Sequence, residues 1–487
     1  MSALSTLSDP TDLTALRTAL DAEDPERRLV PLGLGQVVIG ADAVDTVVDT
    51  VAAELRRAGR PTTGPVVMLV DATPIARAAA DLKALVEDML AARFEVRRVV
   101  LRGPHPTLHA DDEALDAATE AVRGAACVVS VGGGTITDIA KVATARDEGQ
   151  PLVVVQTAAS VDGYTDNVSV ILRDGVKRTI PSRWPDVVLA DVTTIAEAPD
   201  ALNTSGYGEV LSMFTAPADW YLASLMGLDD TFHRAPRDLL VVFGKGIERW
   251  SPGVSRHDPA SVRELIRMLA IRGVATGVAG TTACLSGVEH LVSHMLDMYH
   301  GAHHRPIGLH GAQVGVASVL AAAAWEHLFA RFDPTAVDLD ALFGDPVVHR
   351  PRVLASFADL DPSGRLGAEC WRDFEAKLRR WNDARSTVTA TLTDWATHRA
   401  ALDELLVDSR TLGAGLRAAG AAATFAELDP AVDDATARWA VANCHLMRNR
   451  FTVVDLLDLL GWWTADDQAA VFAAAGQAVG AGAEVTR

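Results

Sequence analysis

The chain has 487 residues, room for two or three domains at roughly 150 residues each, though a large enzyme often needs only two. Hydrophobic residues make up 49% and charged residues 22%, which excludes full-length disorder and calls for a sizeable buried core. With 44 basic against 64 acidic residues, a formal charge of −20, it is not expected to bind nucleic acid or anionic membranes, which need positive charge to displace counterions; a small acidic substrate, needing only a local group of cations, stays open.

The opening residues, to Leu13, lack a basic start followed by an apolar run. No secretory signal and a cytoplasmic location are expected, with the first ten or so residues as a loose tail. Val66 to Val70 reads as a strand, followed by Asp71 and a helical stretch from about Thr73 to Arg93. Val96 to Leu101 is a second strand and Asp111 to Arg123 an amphipathic helix. Cys127 to Val131 is a strand that runs into Gly132-Gly133-Gly134, with a helix beginning near Thr137. Leu152 to Val155 is the next strand. Asn167 to Leu172 and Val176 to Ile180 flank Arg173-Asp174-Gly175 as a hairpin, and Val187 to Ala190 is one more strand, ending at Asp191. This alternation predicts a parallel sheet with helices on its faces.

After about Ala198 strand patterns vanish and helical patterns continue to the end. The expectation is an α/β Rossmann-like nucleotide-binding domain over 1–198 and an all-helical metal and substrate domain over 199–487. The apolar stretch from Gly315 to Trp325 is too short to span a bilayer and reads as an alanine-rich core helix. Pro334 to Asp361 reads as loop-rich. Cys127, Cys284, Cys370 and Cys444 are scattered, never spaced C-x-x-C, and read as buried reduced thiols.

Two constellations carry chemistry. Glycines between a strand and a helix let a ligand approach the backbone, and the free N–H groups at the helix start favour a pyrophosphate. The same residues also fit a tight turn without a ligand. Asp71, ending an early strand, can accept hydrogen bonds from a ribose diol or cap the next helix. Further on, Glu289-His290-Leu291-Val292-Ser293-His294 places two histidines at i and i+4 on one helix face. His310 follows in Leu309-His310-Gly311, and Glu209 lies upstream in Gly206-Tyr207-Gly208-Glu209, where the glycines suggest a turn ahead of a helix. Two histidines and a carboxylate leave a position open on a divalent metal for substrate. His300, His303 and His304 read as loop residues with surface roles.

With these residues in view, the chain resembles the sn-glycerol-1-phosphate dehydrogenases, within the larger group of iron-dependent alcohol dehydrogenases, glycerol dehydrogenase and 3-dehydroquinate synthase. The carrying segments are G-G-G-T-I-T-D at 132–138, T-A-A-S-V-D-G-Y at 157–164, G-Y-G-E at 206–209, S-G-V-E-H-L-V-S-H at 286–294, L-H-G-A-Q-V-G at 309–315 and H-L-M-R-N-R-F-T at 445–452. The resemblance implies NAD or NADP and one divalent metal, usually zinc, with nickel or iron in relatives. It implies that Gly133, Gly134, Thr135, Asp138, Thr157 and Ser160 contact the dinucleotide and that Glu209, His290 and His310 hold the metal. Asp162 and His294 would touch the substrate. The implied reaction is reversible hydride transfer between dihydroxyacetone phosphate and sn-glycerol 1-phosphate, by a homo-oligomer. Asp71 would repel a 2′-phosphate, which favours NAD. Lys177, Arg178, Arg183, Arg448 and Arg450 are the cations considered for the phosphate end.

Three features depart from the family. The metal carboxylate of the dehydrogenases is normally aspartate, whereas this chain has Glu209, as in the dehydroquinate synthases. Asp166 stands where a small serine is usual, adding negative charge near the expected nicotinamide. Extra helical material is expected between about Ala330 and Trp395. The alternative is an NAD- and metal-dependent sugar-phosphate cyclase, against which stands Ser212 in place of that family's lysine three residues after the glutamate. A second alternative is a catalytically inactive relative that only binds.

Overall fold

A computed structural model describes residues 3–103, 108–147, 149–173 and 176–485. The chain divides into two compact units, Met1–Gly206 with Arg234–Gly280 and Tyr207–His233 with Thr281–Arg487. This division is discontinuous, unlike the single boundary expected near Ala198. The helix Pro259–Ala279 belongs to the first unit although its sequence lies in the helical half. Gly273 lets it press close: a Cβ there would stand 2.2 Å from the Thr165 hydroxyl and 2.6 Å from the Asp162 carbonyl oxygen.

Among the described residues the first unit carries ten strands: β1 (Gln36–Gly40), β2 (Val66–Val70), β3 (Ala76–Arg77), β4 (Ala80–Asp81), β5 (Val96–Val100), β6 (Cys127–Gly132), β7 (Leu152–Gln156), β8 (Val168–Arg173), β9 (Val176–Pro181) and β10 (Val187–Asp191). Six form a parallel sheet in the order β1-β10-β7-β6-β2-β5. β2, β6, β7 and β10 are buried along their whole length. Strands covered on both faces read as unbroken apolar runs, which is why these four are visible in the sequence. From β2 the chain crosses to β5 on one side, and from β6 to β7 on the other. The order therefore reverses between β2 and β6, and a ligand crevice is expected at the carboxyl ends of strands flanking such a point. Asp71 follows β2 there, and the glycine turn follows β6.

Several local expectations change. β1 and the helices Leu13–Glu23 and Val47–Arg57 add to the expected elements. The helix expected from Thr73 is Leu82–Ala91, capped by the Asp81 carboxylate, and the antiparallel pair β3–β4 precedes it. The helix after the glycine turn begins at Gly134 rather than near Thr137. β8 and β9 pair as the predicted hairpin, while residues 174 and 175 of its turn lie outside the described residues. The expected N-terminal tail contains a short turn, Ala3–Thr6, whose Leu4 is fully buried.

The second unit is helical. Its helix His310–Arg331 is buried from Val314 to Trp325, as the alanine-rich stretch predicts. Short turns Leu339–Leu342 and Pro346–His349 and the helix Arg350–Ser356 occupy the loop-rich passage. All four cysteines are buried free thiols. Among the described residues no helix is long and apolar enough to cross a membrane.

Candidate metal centre and nucleotide turn

The predicted metal residues come from three helices, two of which meet backbone to backbone. The G-Y-G-E segment lies inside the helix Asp200–Leu211, not in a turn ahead of it. Its glycines serve close approach. A Cβ at Gly208 would stand 2.2 Å from the Gly311 carbonyl oxygen, and one at Gly315 would stand 2.7 Å from the Gly208 Cα. This contact sets Glu209 beside His310, the first residue of the helix His310–Arg331. His290 arrives from the helix Val288–Ala302.

One ligand atom from each of Glu209, His290 and His310 can be chosen so that all lie within 4.8 Å of one another. Oε1 of Glu209 is 3.3 Å from His290 Nε2, and its Oε2 is 3.8 Å from His310 Nε2. Glu209 and His290 are buried and His310 is partly open. One carboxylate and two imidazoles suit zinc, iron or nickel, and three protein donors leave a position for substrate. The electrostatics agree with a cation at this place. Burial pushes the His290 pKa down, but hydrogen bonds to Glu209 and Glu289 and their charges outweigh it and raise it to about 9. His294, one turn after His290, has its ring centroid 5.7 Å from that of His310.

Three further residues stand behind the histidines. Glu289 Oε1 is 3.0 Å from His290 Nδ1. Ser293 Oγ is 2.9 Å from His310 Nδ1 and donates to Gln313 Oε1 at 2.6 Å. Their only signals in sequence are adjacency to His290 and helical spacing from His290 and His310. His300 lies within the Val288–Ala302 helix and is buried, not a surface loop residue; its spacing puts it on the packed face.

In the first unit, Gly133 is the N-cap of the helix Gly134–Arg146, with exposed Thr135 in the first turn. Thr157 and Ser160 follow β7, whose last residue, Gln156, pairs with Gly132. The glycine turn and these hydroxyls therefore share one edge of the sheet. The nearby carboxylates are engaged by cations. Asp71 accepts from the buried Lys83 ammonium at 2.6 Å and from the Thr73 hydroxyl at 2.7 Å. Asp138 lies 3.1 Å from the Lys141 ammonium and accepts the Val170 N–H. Asp162 pairs with the fully buried Arg272 at 3.2 Å.

Asp166, expected to add negative charge near the nicotinamide, is buried against the Lys141 ammonium at 2.6 Å. Burial pushes its carboxyl up, Lys141 opposes this, and Asp162 and Asp138 add to it, leaving a pKa of about 7. Of the cations considered for a phosphate, Arg183 binds the Gln150 carbonyl oxygen and Asp186. Arg450 is partly buried and donates to the Ser286 carbonyl oxygen and the Thr282 hydroxyl; loss of solvent, with the neighbouring Arg448 charge, lowers its pKa to about 10. The Lys177 side chain lies outside what the structure describes.

A family model described as iron-containing alcohol dehydrogenase matches residues 38–199. The chain is 36% identical over 194 residues to the glycerol-1-phosphate dehydrogenase of Pyrococcus furiosus, a match covering 40% of this chain and 54% of that protein. It is 31% identical over 289 residues to the glycerol-1-phosphate dehydrogenase of Methanothrix thermoacetophila, covering 58% of this chain and 75% of that protein. The match thus spans about half the length of the first relative and three quarters of the second. Among solved structures, one described as a probable glycerol dehydrogenase from Sinorhizobium meliloti 1021 superposes with a TM-score of 0.53 at 15% identity, over 91% of this chain and 97% of that one. Maleylacetate reductase from Rhizobium sp. strain MTP-10005 gives 0.50 at 19%, over 92% and 96%. At such identities these likenesses speak for the fold.

Proposed function

This chain belongs to the iron-containing alcohol dehydrogenase family, and we propose that it is a metal-dependent NAD(P)H oxidoreductase acting reversibly between dihydroxyacetone phosphate and sn-glycerol 1-phosphate or a close polyol phosphate. The observation that carries this reading is the gathering of Glu209, His290 and His310 in a chain whose relatives bear the name of that activity. A divalent ion on these three residues supplies polarisation of the substrate carbonyl when bound, and the dinucleotide supplies the hydride.

The chain's own residues do the rest. Backbone N–H groups of Gly134 and Thr135, opened by Gly133, receive the pyrophosphate at the helix start. Thr157 and Ser160 hold the dinucleotide along the same edge, Asp71 faces its ribose, and Asp138 supports the turn. His294 orients the substrate or passes a proton at its ring. Asp162, held by Arg272, meets a substrate hydroxyl.

The test is oxidation of NADH and of NADPH, after loading with zinc, nickel or iron, against dihydroxyacetone phosphate beside dihydroxyacetone. Turnover of the phosphate compound alone supports the reading. Equal turnover of both removes the phosphate requirement, and silence on both with metal bound removes the substrate assignment. Glu209 favours one second reading, the sugar-phosphate cyclase. Ser212 speaks against it, since its hydroxyl contacts the Leu285 carbonyl oxygen where the cyclases carry a lysine. Release of inorganic phosphate from sugar phosphates with NAD would establish that reading instead.

A further inference from the structure

We propose that Glu289, and Ser293 with Gln313 behind it, are positioning residues that place the proton of His290 and of His310 on Nδ1, leaving each Nε2 for a metal; the assignment rests on these histidines being ligands. A histidine nitrogen binds a metal only when unprotonated, and the bond made by the other nitrogen decides which one that is.

On His290, Nδ1 lies 3.0 Å from Glu289 Oε1. The same oxygen accepts the Gly287 backbone N–H at 2.7 Å, while Oε2 takes the Thr215 hydroxyl at 3.0 Å. An oxygen that already accepts from a backbone N–H is not the one carrying a proton, so the hydrogen of the Glu289–His290 pair belongs to Nδ1. Nε2 faces Glu209 at 3.3 Å, and a metal ion bound there displaces the proton shared with that carboxylate while the Nδ1 hydrogen stays donated to Glu289.

On His310 the direction follows from counting hydrogens. Ser293 has one hydroxyl hydrogen, and it goes to Gln313 Oε1 at 2.6 Å. Toward His310 Nδ1, 2.9 Å away, Ser293 Oγ can then only accept. The His310 hydrogen sits on Nδ1, and Nε2 is turned toward Glu209 at 3.8 Å. Glu289 and Ser293 are fully buried and Gln313 is nearly so, so water does not compete for these bonds. An imidazole side chain in water prefers the opposite tautomer, which makes the assignment measurable.

The full chain is tested with zinc as the probe. In metal-free, 15N-histidine-labelled protein at about pH 8, where an ordinary histidine is neutral, His310 should carry its proton on Nδ1. It should stay there in Gln313→Glu, whose carboxylate still accepts the serine hydrogen, and revert to Nε2 in Ser293→Ala. Competition against a chelator should show zinc bound about 10–100-fold more weakly by Ser293→Ala and by Glu289→Leu. Glu289→Gln and Gln313→Glu, which keep an acceptor, should stay within about threefold of the parent protein, because the orientation of the ring is preserved. Circular dichroism checks the fold, and if Glu289→Leu does not fold, the Ser293→Ala and Gln313→Glu pair decides. An unchanged His310 tautomer and undiminished zinc affinity in Ser293→Ala overturn the proposal while leaving the metal reading intact. A parent protein that binds no zinc, but whose His310 tautomer still switches in Ser293→Ala, overturns the metal reading and leaves the proton placement standing.

Discussion

In the first unit Asp138 and Asp166 share the buried Lys141 ammonium, and Asp162 meets the buried guanidinium of Arg272; in the second, Glu209 is set against two imidazoles. Asp166 and Glu209 are buried, and Asp138 and Asp162 are partly so. The difference is the cation. Arginine stays charged and Lys141 is held charged by its two carboxylates, so the first kind of cluster is complete once folded. An imidazole offers a lone pair when neutral and a charge when protonated, so the second kind can exchange a proton for a metal ion. The contrast separates charge that holds the fold from charge arranged for chemistry.

The largest expected effect breaks the first cluster. Lys141→Met leaves Asp138 and Asp166 without their shared cation, and removing one partner of a buried pair costs about 3–5 kcal/mol. An earlier urea unfolding transition checks this. A shift below about 1 kcal/mol would mean that Asp166 simply takes up a proton, for which its pKa of about 7 leaves it poised.

The opposite signature is expected at Glu209's partners. His290→Ala or His310→Ala should abolish stoichiometric metal and lower turnover by about 100-fold or more, with a much smaller change in unfolding than Lys141→Met gives. Metal analysis and NADH oxidation on the same preparation check both sides. Either variant retaining metal and full turnover would remove that residue from the ligand set.

Asp138 sharpens the comparison because both descriptions claim it. By motif it belongs to the nucleotide site; by geometry it is bonded to Lys141 and to the Val170 N–H. Asp138→Ala should cost about 1–3 kcal/mol for the partners left unsatisfied, and should raise the KM for cofactor more than that for substrate. Steady-state kinetics beside a denaturation curve resolve the two. A rise confined to the substrate KM moves Asp138 to the substrate side.

The same contrast explains what was legible in the sequence. β2, β6, β7 and β10 are buried on both faces and spell themselves as valine-rich runs, whereas edge strand β1 has only Val37 buried and leaves no such run. The helical pattern from Thr73 was misleading because a distant contact governs those residues. Arg77 in β3 reaches Asp191 at the end of β10, and the helix starts only at the Asp81 cap. Glu209, His290 and His310 could be singled out because the i, i+4 histidines and the glycine-flanked glutamate are local motifs. The partner of Asp162 could not, since Arg272 lies far along the chain in a helix that periodicity assigns to the other half. Glu289, Ser293 and Gln313 show no pattern of their own, because a hydrogen-bond partner of a ligand is defined by direction rather than spacing.

The smallest predicted effect asks whether pairing, not the unit, makes the difference. Asp458 in the second unit is paired like the carboxylates of the first: both oxygens accept from the Arg352 guanidinium, at 2.8 and 2.6 Å, and His445 Nε2 lies 3.3 Å away. Burial pushes its pKa up, but Arg352 and His445 outweigh this and hold it far below the usual carboxylate value. A depressed folded pKa means that the unfolded chain takes up the proton first. The stabilisation is therefore complete above the ordinary value of 3.8 and drains away as pH falls below it. Asp458→Asn should be less stable than the parent protein near neutral pH, and the gap should close as the pH drops below about 4. Thermal melting of both proteins across that range checks the sign. A gap that stays constant with pH would show that Asp458 stabilises through packing alone, and pairing with a cation of the chain would then no longer distinguish the first unit's carboxylates from Glu209.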